Sequence, residues 1–325
     1  MQKPVRWGVL GAANFAREHM ARAIHAAEGA DLYALATSSP EKAEPFQAFA
    51  PGLKVHGSYE DLLADPEVEA VYVPLPNHLH VEWTLKAVEA GKHVLTEKPI
   101  AMREGEFDRL ITARDRSGLL VAEAYMIVHH PQWQRAKELV SEGAIGRLVH
   151  VDAAFSYSLL DMTNIRNRPE VGGGSLPDIG VYTFGSTRFV TGEEPEAVEH
   201  VVIRRENGVD TFAHVVARFP GFTYSGFTSM RMHPRQEMVF HGTEGVLRVA
   251  HAPFNANLHD VAQVILETGD NVRTAERWPA VNHYVLQVES FGRTLREGTA
   301  YPCPLEFSRG TQRMIDMVLE AERKG

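Results

Sequence analysis

A glycine-containing turn near the start of the chain has residue types that suit phosphate binding. It joins a predicted strand to a predicted helix and reads GVLGAANFA over residues 8–16. In a Gly-x-Gly-x-x-Gly/Ala turn, small residues let backbone N–H groups at the helix start approach a pyrophosphate. Gly11 and Ala16 fit this pattern, and Ala13 replaces the second glycine. We expect a dinucleotide to contact Gly11, Ala13, Asn14 and Phe15, the alternative being a tight turn without a ligand.

The end of the second predicted strand carries hydroxyl groups and a nearby cation. Dinucleotide-binding proteins that use NAD place an Asp or Glu here for the ribose 2′-hydroxyl. This chain has Ser38, Ser39 and Lys42 instead, with no acidic residue at the strand end. These side chains suit a 2′-phosphate, so we favour NADP over NAD as the cofactor. The alternative is that the two serines only cap the next helix.

The first part of the chain alternates short apolar runs with helical segments. Strands are predicted at residues 5–10, 32–37, 70–75, 93–96 and 119–122, and helices at 15–27, 81–90 and 104–117. Short, continuously apolar strands between helices are typical of a parallel sheet that is buried on both faces. We therefore predict a doubly wound α/β domain over residues 1–123.

The pattern changes after residue 123, where β segments dominate. Strands are predicted at 148–157, 198–205, 211–219, 223–232, 237–241 and 245–250, and helices at 132–142, 178–190, 286–295 and 309–322. Gly-rich or Pro-rich breaks separate several of these strands. We predict a second α/β domain over residues 124–325, with a largely antiparallel sheet of five or six strands.

Composition excludes several classes of protein. The chain has 325 residues, of which 44% are hydrophobic and 23% charged, enough for two globular domains. Its net charge is −9 and both predicted domains are mildly acidic, so no basic domain is available for nucleic acid. No apolar run approaches the roughly 18 residues of a membrane span. The single Cys303 fits a reducing compartment, and we expect a cytoplasmic protein.

Three further segments, taken with the turn at Gly11, indicate a family. They are PLPNHLH at residues 74–80, EKP at 97–99 and GGGSLPDIGVY at 172–182. In this order and spacing the chain resembles the Gfo/Idh/MocA oxidoreductases over nearly its whole length, from Val5 to about Met317. The resemblance implies a Rossmann domain, then an α/β domain with an open, mainly antiparallel sheet. It also implies hydride transfer between a nicotinamide and a sugar, sugar derivative, polyol or related hydroxy or carbonyl compound.

The resemblance makes Lys98 the catalytic lysine and Tyr182 the second acid/base. Removing a hydroxyl proton as hydride leaves carbon needs a base or relay, and a cation to stabilise the alkoxide. Asp178 lies four residues before Tyr182 and shares its helix face. We expect Tyr182 to exchange the substrate proton, Lys98 to activate it and orient the hydroxyl, and Asp178 to hydrogen-bond to substrate or lysine. Which of Lys98 and Tyr182 takes the proton directly stays open.

The resemblance also places residues along the cofactor. Pro74, Asn77 and His80 are expected beside its nicotinamide half, and Glu97 at its ribose. His78 and His80 have a spacing that suits a metal, but no HExxH pair or cysteine ligand accompanies them, so we expect no metal.

Substrate contacts are expected from the polar loop at residues 161–169. Its amide and guanidinium groups provide donors for several hydroxyls, and we select Asn164 and Arg166, with Tyr284 as a further candidate. The composition of this loop fits an ordinary polar surface loop equally well. Val128 stands where many relatives carry an arginine, which prevents transfer of a specific substrate from them.

Two other functions and one assembly state complete the expectations. A non-catalytic NAD(P)-binding sensor would also keep the first domain. A methyltransferase would explain the glycine turn but leave Lys98, Asp178 and Tyr182 without a role. Because relatives often cover the open sheet with a second subunit, we expect a homodimer or homotetramer.

Overall fold

The chain folds into two compact units. The computed structural model describes residues 3–251, 253–258, 260–269 and 272–324. One unit runs to Met126 and includes Asn282–Ser308, and the other comprises Ile127–Val281 and continues from Arg309. The expected join lies close to this one, but the expected second domain contained residues 282–308. That segment belongs to the first unit because Phe291 packs on Trp7 of the first strand, with ring centroids 4.8 Å apart.

The first unit is built on a six-stranded parallel sheet. Its strands are β1 (Val5–Leu10), β2 (Ala30–Ala36), β3 (Lys54–His56), β4 (Ala70–Val73), β5 (His93–Thr96) and β6 (Val121–Glu123). Their order is β3-β2-β1-β4-β5-β6, and every neighbouring pair runs parallel. The order reverses between β1 and β4, and sheets of this kind bind ligands beyond the carboxyl ends at such a point. The predicted doubly wound sheet is confirmed.

The second unit is built on an eight-stranded sheet. Its strands are β7 (Leu148–Ser158), β8 (Ala197–Glu206), β9 (Val209–Phe219), β10 (Phe222–Ser229), β11 (Arg231–Gly242), β12 (Gly245–Ala250), β13 (Ala262–Thr268) and β14 (Val272–Trp278). The order is β14-β13-β12-β11-β7-β10-β9-β8, and only the β7–β10 pair is parallel among the described pairings. The predicted mainly antiparallel sheet is confirmed.

The predicted number of five or six strands is wrong, because the sheet has eight. The missed hairpin consists of β13 and β14. The edge strand β14 reads VRTAERW and is mostly exposed, so it lacks the apolar alternation that marks a half-buried strand. The predicted strand at 223–232 also divides, since β10 ends at Ser229 and β11 begins at Arg231.

Nine helices of the described chain flank the two sheets. The helices are α1 (Ala21–Ala26), α2 (Pro40–Gln47), α3 (Tyr59–Ala64), α4 (His80–Glu89), α5 (Phe107–Ser117), α6 (Pro131–Ser141), α7 (Val181–Thr191), α8 (His283–Glu297) and α9 (Leu305–Lys324). A π-helical turn (Ala16–Met20) leads into α1. Ser58 caps α3 by accepting a hydrogen bond from the Asp61 N–H at 3.0 Å. None of the helices in the described ranges is long and apolar enough to cross a bilayer.

Candidate active site

The turn after β1 has the geometry of a phosphate-binding loop. Gly11 has φ +105°, which glycine adopts readily and other residues do not. A Cβ at Gly11 would lie 3.2 Å from Tyr59 Oη and 3.3 Å from Leu75 Cδ2, so a larger residue would crowd the turn. The helix that follows leaves its first N–H groups without intrahelical partners, which suits an anion. Among the other predicted contacts, Asn14 is exposed and Ala13 and Phe15 are half-buried.

The region after β2 holds both a cation and a carboxylate. Ser38 and Lys42 are exposed. Ser39 lies at the N-cap of α2, but its hydroxyl makes no capping hydrogen bond and instead donates to Glu41 at 2.7 Å. This bond lowers the pKa of Glu41 and keeps it ionised. The Ser39 side chain therefore does not cap α2. Glu41 is an acidic group close to the strand end that the prediction of NADP did not take into account.

His80 joins two of the connections at the carboxyl edge of the sheet. Its Nε2 lies 2.6 Å from the Leu75 carbonyl oxygen, after β4, and its Nδ1 lies 2.8 Å from the Pro99 carbonyl oxygen, after β5. The ring is 1% exposed, and burial lowers its pKa to about 4. The ring therefore lies against both connections and has almost no surface left for direct contact with a cofactor. Of its predicted neighbours, Pro74 is buried and Asn77 is half-buried.

Glu97 and Lys98 follow β5, and both are half-buried. Tyr72 of β4 donates its hydroxyl to Glu97 Oε1 at 2.5 Å, and the Lys98 N–H lies 3.3 Å from Glu97 Oε2. Burial raises the pKa of Glu97, against the opposing effects of the Tyr72 hydrogen bond and the Lys98 charge. Tyr72 thus fixes the carboxylate that precedes the candidate catalytic lysine.

In the second unit, three segments converge on Asp178. Its side chain is only 12% exposed, and Arg166 Nε lies 3.0 Å from its Oδ2. Tyr157, near the end of β7, donates its hydroxyl to the same oxygen at 2.6 Å. Burial and the Asp178 charge raise the pKa of Tyr157 well above its ordinary value, so it stays a donor. Arg166 and Asp178, which the sequence predicts separately, are thus brought together, with Tyr157 as a third member.

Tyr182 lies at the start of α7, directly after a π-helical turn (Leu176–Gly180) that contains Asp178. It is 6% exposed and packs on Phe155 and Phe254, with ring centroids 5.7 and 5.5 Å away. Its phenol also interacts electrostatically with the Arg166 guanidinium. Such π turns occur frequently at functional sites.

The glycine-rich segment before this turn closes the loop that carries Arg166. The Gly174 N–H donates to the Arg166 carbonyl oxygen at 3.0 Å, and the Gly173 N–H donates to the Arg168 carbonyl oxygen at 3.0 Å. Asn164 caps the short turn that begins at Ile165 by accepting the Arg166 N–H at 3.1 Å. The predicted substrate residue Asn164 thereby helps to place Arg166.

Asp210 of β9 anchors the start of the same π turn. Its Oδ2 accepts hydrogen bonds from the Leu176 N–H at 2.7 Å and the Ser175 hydroxyl at 2.6 Å. It is 8% exposed, and burial raises its pKa to about 6. Gly174 has φ +133°, and a Cβ there would overlap Asp210 Oδ1. The glycine of the motif is therefore required by both backbone conformation and space.

The further substrate candidate Tyr284 lies in the first unit, and Val128 lies in the second. Tyr284 is part of the first unit, where it is 4% exposed and packs on Phe15 and His19, with ring centroids 5.7 and 5.5 Å away. It is thus a neighbour of the cofactor turn within that unit. Val128 is 1% exposed in the second unit, as suits an apolar side chain.

Tyr72, Tyr157 and Asp210 were missed by the sequence analysis. Each lies on a strand, and the two tyrosines have the aromatic side chains that usually indicate packing there. The signal that was available is the polar group itself, since a buried hydroxyl or carboxylate requires a partner. No spacing along the chain connects these residues to Glu97, Asp178 or Leu176.

The fold and the site define an oxidoreductase with an NAD(P)-binding Rossmann unit. A family model described as "Oxidoreductase family, NAD-binding Rossmann fold" matches residues 5–125, and the "GFO/IDH/MocA C-terminal domain" matches residues 133–248. The chain belongs to the Gfo/Idh/MocA oxidoreductase family. The resemblance inferred from its motifs is confirmed, and the methyltransferase alternative is wrong.

Relatives match the chain from end to end. It is 35% identical to a dTDP-3,4-didehydro-2,6-dideoxy-alpha-D-glucose 3-reductase of Saccharopolyspora spinosa, over 100% of this chain and 98% of the relative. It is 32% identical to a D-xylose 1-dehydrogenase (NADP(+)) of Haloferax volcanii, over 98% of each. The crystal structure of KijD10, a 3-ketoreductase from Actinomadura kijaniata with NADP and TDP-benzene, has a TM-score of 0.90 at 29% identity and 98% coverage of both chains.

Proposed function

We propose that this oxidoreductase transfers hydride between NADP and a carbonyl or hydroxyl carbon of a sugar derivative. The observation that carries the proposal is the convergence of Tyr157 and Arg166 on Asp178, just before Tyr182. An ionised carboxylate and a phenol beside a guanidinium form an acid/base set suited to sugar hydroxyls. The relatives that act on a dTDP-sugar and on xylose support this substrate class.

The proposed roles follow from the atoms that must move. When bound, the nicotinamide supplies the carbon that accepts or returns hydride. In the oxidative direction the substrate C–H bond breaks with its electron pair, the O–H proton leaves, and a carbonyl forms. Tyr182 exchanges that proton, Lys98 orients the hydroxyl and stabilises the developing alkoxide, and Asp178 accepts a hydrogen bond from the substrate.

NADP is proposed over NAD because of the residues after β2. Ser38 and Lys42 are exposed at the start of α2, where a 2′-phosphate is placed in folds of this kind. The Haloferax dehydrogenase is named as NADP-dependent, and KijD10 was crystallised with NADP. Glu41 is the feature that opposes this choice, since a carboxylate suits the 2′-hydroxyl of NAD.

A panel of nucleotide sugars, aldoses, polyols and inositols with NADP and NAD tests the proposal. We expect reduced nicotinamide to form, or to be consumed with keto substrates, fastest with NADP and a sugar derivative. Cofactor binding by fluorescence titration without turnover of any member would favour the sensor alternative. A strong preference for NAD would contradict the choice of NADP.

We also infer a homodimer or homotetramer. Helices α6 and α7 pack on one face of the eight-stranded sheet. The other face presents His214 and Phe227, both half-buried, and the more exposed Arg235. A broad open sheet face of this kind needs cover. Light scattering should give a mass of two or four chains, and Phe227→Glu should lower it, whereas a monomeric wild type would contradict the inference.

A further inference from the structure

We infer that Tyr157 is a positioning residue that keeps Asp178 ionised and in one orientation during the reaction. This inference rests on the proposed role of Asp178 in that reaction. Tyr157 lies outside the motif segments quoted above, and its strand position alone would suggest only packing. Its hydroxyl gives it a more specific task.

The contacts leave Asp178 Oδ2 little freedom. Tyr157 Oη donates to it at 2.6 Å and Arg166 Nε lies 3.0 Å from it. The two donors come from β7 and from the loop at 161–169, whereas Asp178 lies in the π-helical turn. Because two directional bonds meet at one oxygen, they fix the rotation of the carboxylate about its terminal bond.

The charges around the cluster favour the ionised carboxylate. The charges of Arg166 and Arg231 oppose the rise in the pKa of Tyr157. The charge of Asp178, together with Tyr157 and Tyr182, favours the charged form of Arg166. Hydrogen bonds to a charged carboxylate lower its pKa, because they stabilise the ionised form. We therefore expect removal of the Tyr157 hydroxyl to raise the pKa of Asp178.

Arg231 has hydrogen-bond partners of its own, apart from Tyr157 and Asp178. Arg231 donates to the Leu159 carbonyl oxygen at 2.6 Å and to Asn167 Oδ1 at 2.9 Å. The backbone N–H of Arg166 donates to Asn164 Oδ1, and its guanidinium pairs with Asp178. Replacement of Tyr157 by phenylalanine deletes one oxygen and keeps the ring that faces Phe155, 6.4 Å away between centroids.

The test compares Tyr157→Phe with Tyr224→Phe. Tyr224 of β10 is also buried in the second unit, and its ring packs on Phe184 and Phe219. For Tyr157→Phe we expect kcat/KM for the substrate to fall about tenfold and the acid limb of the pH–rate profile to move up by about one pH unit. The KM for the cofactor should not change. Tyr224→Phe should match the wild type in all three measurements.

A second measurement does not depend on turnover. Infrared titration of carboxyl bands, with the Asp178→Asn variant subtracted, reports Asp178 alone, and Tyr157→Phe should raise its midpoint by about one pH unit. If the wild type turned over no sugar, the proposed function would fail while this titration still tested the inference. An active Tyr157→Phe enzyme with wild-type rate, acid limb and infrared midpoint would overturn the inference and leave the function standing.

Discussion

The cofactor turn of the first unit and the Asp178 cluster of the second are built in opposite ways. The cofactor region combines the backbone shape at Gly11, in the turn after β1, with exposed side chains after β2 such as Ser38 and Lys42. The cluster depends on buried polar groups that hold one another, with Asp178 bound by Tyr157 and Arg166. A change in the turn should therefore alter affinity alone, whereas a change in the cluster should alter stability and chemistry together.

The largest loss of activity is expected at Lys98, because no residue of the Asp178 cluster can take over its proposed role. Lys98→Met should lower kcat by about a thousandfold, because it removes the cation proposed to orient the hydroxyl and stabilise the alkoxide. NADP binding, measured by fluorescence titration, should change little. Lys86→Met, at a surface lysine of α4 that pairs with Glu82, is the control and should keep full activity. A Lys98→Met enzyme with wild-type turnover would refute the proposed roles.

Gly174→Ala tests how tightly the cluster is packed. The added Cβ would overlap Asp210 Oδ1 at a backbone with φ +133°, so we expect a loss of roughly 3–4 kcal/mol in the free energy of unfolding. Gly192→Ala is the matched control, since Gly192 has φ +74° with nothing within 4 Å of its added Cβ. It should cost only about 1 kcal/mol. Urea unfolding measures both, and equal losses would show that backbone conformation alone decides.

Asp210→Asn tests the buried carboxyl group that anchors the start of the π-helical turn carrying Asp178. The pKa of Asp210 is raised from its ordinary 3.8 to about 6, so its contribution to stability is fully present below 3.8 and is lost as the pH rises through 6. The loss is roughly 3 kcal/mol. Asparagine keeps a hydrogen-bond acceptor without titrating. The free energy of unfolding of Asp210→Asn should therefore decline less than that of the wild type between pH 4 and pH 7, and parallel curves would contradict this.

The smallest change in activity is expected at Lys42, in the region after β2. Lys42→Ala should lower kcat/KM for NADP about tenfold by removing the proposed contact to the 2′-phosphate, and should leave kcat/KM for NAD unchanged. Glu41→Gln is the informative companion, because it removes the carboxylate that suits NAD. Steady-state rates with both cofactors decide. Equal losses with both in Lys42→Ala would remove Lys42 from the 2′-phosphate site.

Motifs predict the chain positions of the candidate site but not its internal contacts. The turn at Gly11 and the segments that carry Lys98 and Asp178 have local spacing that reflects local geometry. Tyr157 and Asp210 are 21 and 35 residues from the groups they bind, Asp178 and Ser175. Such pairs depend on strand register and loop closure, which no local pattern records.

The fold shows the same division. Buried strands such as β4 are continuously apolar and were predicted, whereas the exposed edge strand β14 carries no such pattern and was not. The helix α8 was expected, but its place in the first unit follows from the contact of Phe291 with Trp7, far away along the chain. Periodicity predicts which elements form, and long-range packing decides where they belong.

The position of His80 between two carbonyl oxygens has a consequence for proton placement. A carbonyl oxygen only accepts, and a neutral imidazole carries one N–H, so at pH 7 the ring donates to either Leu75 or Pro99 but not to both. The two tautomers therefore tether different loops at equal net charge. A change of tautomer would transfer the tether from the loop after β4 to the loop after β5, next to Lys98, without any proton being gained from solvent.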